Sequence, residues 1–235
     1  MITAFVDKDS IKGQIIEISD KSELNHMKNS FRLKVSDELR VVDGEFEYRT
    51  EILEISKNEI LCKILEKKED NYSSNIEIHG GIGLLKNDKM ELVIQKLVEV
   101  GVSKIIPLQL QRTIAKVNEK KEKWDIIARE ALKQCQGVKL TEITEPISLK
   151  NIDYSNYDLV LVPYENEEEI KIREILNKYE NLRKILFIVG SEGGIAEEEI
   201  EYLKSKGAQI VTLGKRILRA ETASIVVGGI LVNEI

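Results

Sequence analysis

The sequence predicts an α/β fold with a mostly parallel sheet, preceded by a small domain made of strands. Three observations lead to this prediction. Short β-rich segments fill the chain up to Lys68, and apolar strands alternate with amphipathic helices from Ile76 onward. Between the two patterns lies a polar, turn-forming segment, residues 69–75. Because strands that alternate with helices are typical of parallel sheets, we predict a two-domain chain that divides near residue 73.

The first domain is predicted as a small antiparallel barrel. Its β-rich segments are separated by turn-forming Asp-Gly and Lys-Asn pairs, which favour short connections between neighbouring strands. One helical segment, residues 21–30, interrupts the strands. The predicted strands are residues 12–19, 38–44, 45–56 and 59–68.

In the second domain the apolar residues between Met90 and Val98 recur at helical spacing. Gly101 follows them, where a glycine commonly ends a helix. The same reasoning gives strands at residues 76–84, 104–110, 157–164, 184–190 and 209–214. It gives helices at residues 89–100, 122–135, 168–179, 196–206 and 220–232.

Composition excludes several classes of protein. Of the 235 residues, 42% are hydrophobic, which is ample for a core, and no apolar run approaches the ~20 residues of a membrane span. The N-terminus lacks the pattern of a signal peptide, so a soluble, cytoplasmic protein is expected. Cys62 and Cys135 stand alone, which argues against a disulfide framework or a zinc site. With a net charge of −6, any contact with nucleic acid must come from a local basic patch.

Three strand ends carry candidate site residues, since ligands of such sheets bind beyond the carboxyl ends of the strands. They are residues 162–164 (VPY), 189–194 (VGSEGG) and 213–222 (LGKRILRAET). Each alone fits an ordinary turn before a helix, and their grouping in the last third of the chain suggests one shared pocket. Glycines there let the backbone approach a ligand or another segment closely.

Common catalytic and phosphate-binding motifs are absent from the sequence. GSEGG is not a dinucleotide fingerprint, and Gly214-Lys215 continues with Arg216, which excludes a P-loop. Ser191 lies outside any GxSxG motif and no histidine follows it, so hydrolase chemistry is disfavoured. His26 and His79 have no metal-ligand spacing, and no metal is expected.

The segments FIVGSEGGIAEEEI and LGKRILRAETA resemble the C-terminal signature of the RsmE family. Members of this family are SPOUT-class enzymes that use S-adenosylmethionine to methylate N3 of a uridine in 16S rRNA of the small ribosomal subunit. Residues 26–44, 84–108, 111–113 and 123–135 are similar to further blocks of the family. The resemblance covers nearly the whole chain.

The resemblance implies a PUA-like, RNA-binding β-barrel over residues 1–72 and a SPOUT methyltransferase domain over residues 73–235. SPOUT domains form a deep C-terminal trefoil knot, although knots are otherwise nearly absent from proteins. They work as homodimers with the last helix in the interface. The residues 220–232, rich in small side chains, fit close helix packing and fit a buried core helix equally well.

The resemblance also implies that S-adenosylmethionine lies between the glycine-rich loops, with Leu213, Ile217 and Leu218 around its adenine. The expected cofactor-binding residues come from the three strand ends and the start of the last helix. They are Val162, Pro163, Tyr164, Val189, Gly190, Glu192, Gly193, Gly194, Leu213, Gly214, Ile217, Leu218 and Thr222.

For catalysis, Arg219 is expected to stabilise the uracil anion, with Glu221 or Glu192 orienting it or accepting the proton. A structural ion pair between Arg219 and a carboxylate is the alternative. Taken alone, each cation expected to contact phosphate is more typical of a solvated surface charge, whereas a cluster on one face would offset the overall acidity. These cations are Arg32, Lys86, Lys89, Arg112 and Lys116.

Three positions depart from the family pattern. Ser191 replaces a usual proline, and Ser36 stands where the family often has glycine. After Gln134 the family usually has Ser-Gly-Arg, whereas this chain has Cys135-Gln136-Gly137, which removes a possible RNA contact unless Lys139 supplies it.

Two alternative functions remain open: a SPOUT enzyme acting on another RNA such as tRNA, or a catalytically silent RNA-binding assembly factor.

Overall fold

A computed structural model describes residues 2–25, 27, 31–115 and 117–234. Contacts divide the chain into two compact units. The first comprises Met1–Ser73 with Leu132–Leu140, and the second comprises Ser74–Ala131 with Thr141–Ile235. The assignment of an RNA-binding role to residues 1–72 stays a prediction. Among the described residues, no helix has the length and apolar character needed to cross a bilayer.

The first unit contains one six-stranded sheet with the order β1-β4-β5-β6-β3-β2. It also holds the short helix α1 (Lys21–Asn25), within the predicted segment 21–30, of which residues 26 and 28–30 lie outside the described part of the chain. The strands are β1 (Thr3–Phe5), β2 (Ile11–Lys12), β3 (Ile15–Ile18), β4 (Glu38–Val42), β5 (Phe46–Ile55) and β6 (Ile60–Glu69).

The prediction of a purely antiparallel domain is wrong at one edge, because β1 pairs with β4 in parallel. Strand β1 has only three residues, too few to show an alternating pattern in the sequence. Parallel neighbours need a long crossover connection, and here residues 6–37 supply it. The predicted strand 12–19 is also divided, because the chain turns at Gly13, where φ is 64°.

Alternation along β5 builds the core of the first unit. Tyr48, Thr50 and Ile52 are buried on one face, while residues between them remain accessible. Register shifts between Arg49 and Thr50 and between Ile52 and Glu54 bend the strand, as β-bulges do. The bend turns the apolar face inward around a core that includes Ile16, Leu39, Val41 and Ile60.

The second unit has an all-parallel seven-stranded sheet with the order β10-β8-β7-β12-β11-β13, while β9 pairs with β8. The strands are β7 (Glu77–Gly83), β8 (Lys104–Gln109), β9 (Glu142–Ile143), β10 (Ile147–Ser148), β11 (Leu159–Pro163), β12 (Lys184–Val189) and β13 (Gln209–Val211). The helices are α2 (Lys89–Val100), α3 (Glu122–Gln134), α4 (Ile172–Leu176), α5 (Glu197–Ser205) and α6 (Ala220–Asn233). The last three residues of α3 belong to the first unit.

The predicted α/β alternation is confirmed, and α2 has the predicted bounds. Its apolar residues are buried, and Gly101 ends it with φ 94° and a backbone N–H that reaches Leu97 and Val98. The predicted helix 168–179 is wrong at both ends, since α4 has five residues. The Glu167 carboxylate accepts from the backbone N–H groups of Glu169 and Ile170, which forms a turn instead.

Strand order positions the site. Strand β12 lies between β7 and β11, two strands that precede it in the chain, and five of its six residues are buried. Parallel strands covered on both faces are apolar throughout, which explains the segment KILFIV. The carboxyl ends of β11, β12 and β13 therefore meet at one edge of the sheet. The trefoil knot stays a prediction.

Candidate active site

A cavity of about 530 Å³ opens where β11, β12 and β13 end. Its volume lies within the usual range for sites that bind small molecules and cofactors. Val189 ends β12 and Pro163 ends β11, so both strands deliver backbone directly to the cavity. The lining residues are Pro163, Tyr164, Glu165, Glu167, Glu168, Lys171, Val189, Gly190, Ser191, Gly194, Ile195, Thr212, Leu213, Gly214, Lys215, Arg216, Ile217, Leu218, Ala220 and Ala223.

The glycine-rich loop after β12, residues 190–194, crosses its neighbours at distances that only glycine allows. A Cβ atom on Gly190 would lie 2.8 Å from the carbonyl carbon of Gly194. On Gly83, at the end of β7, a Cβ would overlap the backbone nitrogen of Ser191. The loop is closed by a hydrogen bond from the Gly194 N–H to the Ser191 oxygen, 2.9 Å long. Backbone atoms, rather than side chains, therefore form this wall of the cavity.

The second wall is the 213–218 loop, which connects β13 to α6. Gly214 has a φ of 106°, in the region that favours glycine, and its N–H donates to the Thr212 hydroxyl at 3.2 Å. Leu213 and Leu218, near the two ends of the loop, are half-buried. Ile217 stands at the rim of the cavity and is 87% exposed. That exposure differs from the burial expected of an adenine wall.

Nine of the thirteen expected cofactor-binding residues line this one cavity. They are Pro163, Tyr164, Val189, Gly190, Gly194, Leu213, Gly214, Ile217 and Leu218.

The other four lie elsewhere in the unit. Val162 is fully buried in the core beneath the sheet edge, and Thr222 is exposed on the first turn of α6. Glu192 and Gly193 belong to the same loop but contact residues outside the cavity. Cofactor binding by any of the thirteen stays a prediction.

Arg219 and Glu221 flank the start of α6. Arg219 is the N-cap residue, is exposed, and within the described ranges forms no ion pair with Glu221 or with any other carboxylate. Glu221 is 9% exposed, and its Oε2 atom is buried with no hydrogen-bond partner among those residues. The alternative of a structural Arg219 ion pair therefore finds no support in the geometry, and the guanidinium is free to meet a ligand.

Three of the expected RNA-binding cations gather behind the glycine-rich loop. The Lys86 N–H and the Lys89 ammonium both donate to Glu192 Oε1 at 3.2 Å. Arg112 Nη1 donates to the Gly193 oxygen at 3.5 Å. Of the other two, Arg32 belongs to the first unit and is exposed, while Lys116 lies outside the described residues.

The surroundings of Glu192 make it a poor proton acceptor. Burial acts to raise the pKa of this carboxyl. Hydrogen bonds from the backbone of Glu192 and Lys86 and from the Lys89 ammonium outweigh burial, and the pKa falls below its usual range. A carboxylate that is already bonded to donors loses affinity for a further proton. The geometry thus makes Glu192 an anchor that ties the glycine-rich loop to α2.

Sequence reasoning missed two sets of charged residues that line the cavity, one acidic and one basic. Glu165, Glu167 and Glu168 follow β11 directly, and their position after a strand end was the available signal. Lys215 and Arg216 belong to the LGKRILRAET block, in which they alone among the charged residues were assigned no role. In the described part of the chain no group of three or more metal-ligating side chains could hold an ion.

Comparisons with known proteins show the family of this chain. Residues 72–232 match the model of an RNA methyltransferase domain, and residues 18–65 match that of an RNA methyltransferase PUA domain. The chain is 34% identical to ribosomal RNA small subunit methyltransferase E from Buchnera aphidicola subsp. Schizaphis graminum, over 91% of this chain and 88% of that protein. It is 30% identical to the Bacillus subtilis protein of the same name, over 86% and 83%.

Solved structures show the same similarity. Ribosomal RNA small subunit methyltransferase E from Neisseria gonorrhoeae, bound to S-adenosyl methionine, superposes with a TM-score of 0.85 at 25% identity, covering 98% of this chain and 96% of that one. A methyltransferase from Legionella pneumophila, in complex with the bound cofactor, gives 0.84 at 27% with the same coverage.

Proposed function

Because this chain belongs to the RNA methyltransferase family whose model matches residues 72–232, we propose that it methylates 16S rRNA within the small ribosomal subunit. The methyl donor is S-adenosylmethionine and the target atom is N3 of a uridine. The observation that carries the proposal is the cavity at the ends of β11, β12 and β13, where nine expected cofactor-binding residues meet beside a free Arg219. With this substrate, we expect the protein to act in the cytoplasm.

The residues present fit this cofactor. The backbone of Gly190 and Gly194 borders the cavity with no side chain in the way. A Cβ at Gly190 would lie 2.8 Å from the Gly194 carbonyl carbon, and one at Gly194 would lie 3.0 Å from the Glu165 carboxylate. Leu213 and Leu218 give an apolar surface suited to adenine. Charged side chains of both signs at the rim, among them Glu165 and Lys215, suit the amino and carboxylate groups of the methionine end. When bound, S-adenosylmethionine supplies a methyl group activated by its sulfonium.

Uracil N3 carries a proton at neutral pH and becomes a good nucleophile only when that proton leaves. A positive charge near the uracil oxygens lowers the free energy of the anion. Arg219, exposed and without an ion pair among the described residues, is the group that supplies this charge. Glu221 is buried in the first turn of α6, which favours positioning of that turn over direct proton transfer.

Positive charges around the loop give the RNA its contacts. Lys86, Lys89 and Arg112 lie together on the α2 side of the loop. Arg32 contacts the RNA from the first unit, and Lys116 is assigned from sequence alone. Phosphate binding scales with the cations that a protein presents. Since the chain has a net charge of −6, we expect weak binding to free RNA and dependence on the assembled small subunit.

A homodimer formed through α6 fits the surface of that helix. Gly228 packs closely, with a Cβ at that position 2.9 Å from Leu97, whereas a Cβ on Gly229 would meet nothing within 4 Å. Ile225, Val226 and Ile230 remain partly accessible. A helix that is apolar all round is normally covered on every side. A second copy of α6 supplies that cover in the proposed dimer.

Two measurements separate this proposal from its rivals. Calorimetric titration with S-adenosylmethionine distinguishes an enzyme from a silent assembly factor, which would not bind it. Methyl transfer from labelled cofactor to small subunits, compared with transfer to tRNA, distinguishes an enzyme that acts on 16S rRNA from one that acts on tRNA. Transfer to small subunits alone is expected. Transfer to tRNA alone would assign a different substrate.

A further inference from the structure

Ile217 is the most exposed of the large hydrophobic residues in the described part of the chain. Its exposed fraction is 87%, and the next, Ile114, reaches 62%. Leaving a side chain of this size in water forgoes about 1.5–3 kcal/mol of burial. One exposed apolar side chain needs no explanation by itself. Its place at the mouth of the cofactor cavity does call for one.

The loop that carries Ile217 is anchored at both ends and projects between them. Gly214 is held through the Thr212 hydroxyl at 3.2 Å, and Leu213 and Leu218 are half-buried. Between these anchors, Lys215, Arg216 and Ile217 are all exposed. Ile217, the apolar tip of the loop, therefore projects from a segment whose two ends are held in place.

Two cations precede the tip and one follows it closely. Lys215, Arg216 and Arg219 form no ion pair or side-chain hydrogen bond within the described ranges. By contrast, two other cations of the same unit have a carboxylate partner, Lys89 in Glu192 at 3.2 Å and Lys123 in Glu91 at 2.6 Å. Unpaired cations next to an exposed apolar side chain match the chemistry of a nucleic-acid strand, which presents phosphates outside and base faces inside.

The target atom makes this arrangement useful. N3 lies on the Watson–Crick edge of uracil, which is out of reach while the base is paired or stacked. Enzymes that act on a base extrude it, at a cost of a few kcal/mol for unstacking. Proteins that open a base step frequently insert an apolar side chain such as isoleucine into the gap.

We propose that Ile217 is a wedge that occupies the space left by the extruded uridine, while Lys215 and Arg216 hold the phosphates on either side. The inference rests on the proposed function, since it requires an RNA substrate with the reacting base in the neighbouring cavity. It replaces the assignment of Ile217 to the adenine wall. Leu213 and Leu218 keep that assignment.

The test compares Ile217→Ser with Ile217→Met, which retains a large apolar side chain. Both variants and the wild type are assayed for kcat/KM of methyl transfer to small subunits, for the Kd of S-adenosylmethionine by calorimetry, and for oligomeric state by sedimentation. We expect Ile217→Ser to lose at least tenfold in kcat/KM and Ile217→Met to stay within threefold of wild type. The Kd of the cofactor is expected to change less than twofold in both.

The cations are tested by a double substitution, Lys215→Ala with Arg216→Ala. We expect a higher KM for the subunits, and a salt dependence of binding reduced by about 0.7–0.9 for each lost phosphate contact. The matched control is Lys178→Ala with Arg183→Ala, which removes the same charge from exposed positions before β12, at the opposite edge of the sheet. The control is expected to leave both quantities unchanged.

Three outcomes would overturn the wedge. A cofactor Kd that weakens in parallel with kcat/KM in Ile217→Ser would return Ile217 to the cofactor wall. A change in sedimentation would place it between two copies of the chain. Unchanged transfer would leave it without a role. A wild-type protein that binds cofactor but leaves small subunits unmethylated would instead refute the proposed function, and the wedge with it.

Discussion

Arg40 donates from Nη2 to the backbone oxygen of Gln136 at 2.8 Å, although 96 positions separate them in the chain. The same guanidinium reaches the Gly137 oxygen and pairs with Glu47 at 2.7 Å. Its side chain is 6% exposed. Arg40 therefore supplies a donor to two carbonyl groups in the turn that follows α3.

We predict that Arg40→Met destabilises the protein by about 2–4 kcal/mol, because it leaves Glu47 and two carbonyl groups without their donor. Arg49→Met is the matched control. Arg49 lies opposite Arg40 in the β4–β5 register and pairs with Glu38 on the surface, where such a pair is worth under about 1 kcal/mol. Urea denaturation measures both. Equal losses in the two variants would contradict the account.

Gln136 adopts a φ of 59° just after α3, at a position where the RsmE family usually has glycine. A side chain in this left-handed region costs free energy that glycine avoids. Relief of the left-handed conformation, about 1–2 kcal/mol, exceeds the roughly 0.5–1 kcal/mol that the flexibility of glycine costs. We therefore predict that Gln136→Gly stabilises the protein by about 0.5–1 kcal/mol and raises Tm by a few degrees. Gln136→Ala, which keeps a Cβ, is expected to bring no gain. A rise in Tm with alanine as well would show that the glutamine side chain itself is unfavourable.

His79 is 3% exposed and bonds through Nδ1 to the Tyr157 hydroxyl at 2.9 Å. Burial lowers the pKa of His79 to about 4 from an ordinary 6.5, with Lys184 and Lys104 adding to the shift. Between these two pH values the unfolded chain binds more protons, so stability falls as the pH drops from 6.5 to 4. The loss through this group amounts to roughly 3 kcal/mol at most.

We predict that His79→Gln flattens the fall of unfolding free energy between pH 6.5 and 4 relative to the wild type. Tyr157→Phe removes the partner hydroxyl but keeps the histidine, so its overall stability drops while its pH slope remains. Denaturation at a series of pH values measures both slopes. Identical slopes in wild type and His79→Gln would contradict the assigned pKa direction.

Arg219→Ala is predicted to lower kcat of methyl transfer at least about 100-fold, by analogy with the loss of one donor to a developing anion. The Kd of S-adenosylmethionine should change less than twofold, because Arg219 lies outside the cavity lining. Arg173→Ala, an exposed arginine on α4, is the control and should retain activity. Loss of cofactor affinity in Arg219→Ala would make its role structural.

The proposed dimer is tested at Gly229, whose missing Cβ faces open space in one copy of the chain. Gly229→Arg should convert a dimer to monomers in sedimentation velocity, because it places a charge in an apolar helix interface. Ser205→Arg adds the same charge at an exposed position on α5 and should leave the dimer intact. A wild-type protein that sediments as a monomer would refute the interface.

Much of the fold follows from local patterns. Helix α2 has its predicted bounds because both its signals are local: the apolar period and Gly101. Helix α4 is shorter than predicted because the Glu167 carboxylate caps a turn and Lys171 bridges to Thr212, a contact with a distant strand. The parallel β1–β4 pair was missed for the same reason. A strand of three residues is too short to show a pattern in the sequence, and it is recognised only by its hydrogen bonds to the partner strand.

The candidate site divides in the same way. Strand ends and glycines located the cavity from sequence, because their positions follow from the alternation of strands and helices. The exposure of Ile217, the absence of an ion pair at Arg219 and the binding of Glu192 to Lys86 and Lys89 depend on how distant segments pack. No sequence pattern reports such contacts.

The identity of the methylated nucleoside tests the proposed methylation of 16S rRNA most directly. Small ribosomal subunits that lack the modification are incubated with the protein and labelled S-adenosylmethionine, and the labelled nucleoside is isolated from 16S rRNA and mapped. We expect labelled 3-methyluridine at a single site. Label in a different nucleoside, or cofactor binding without any transfer to the subunit, would contradict it.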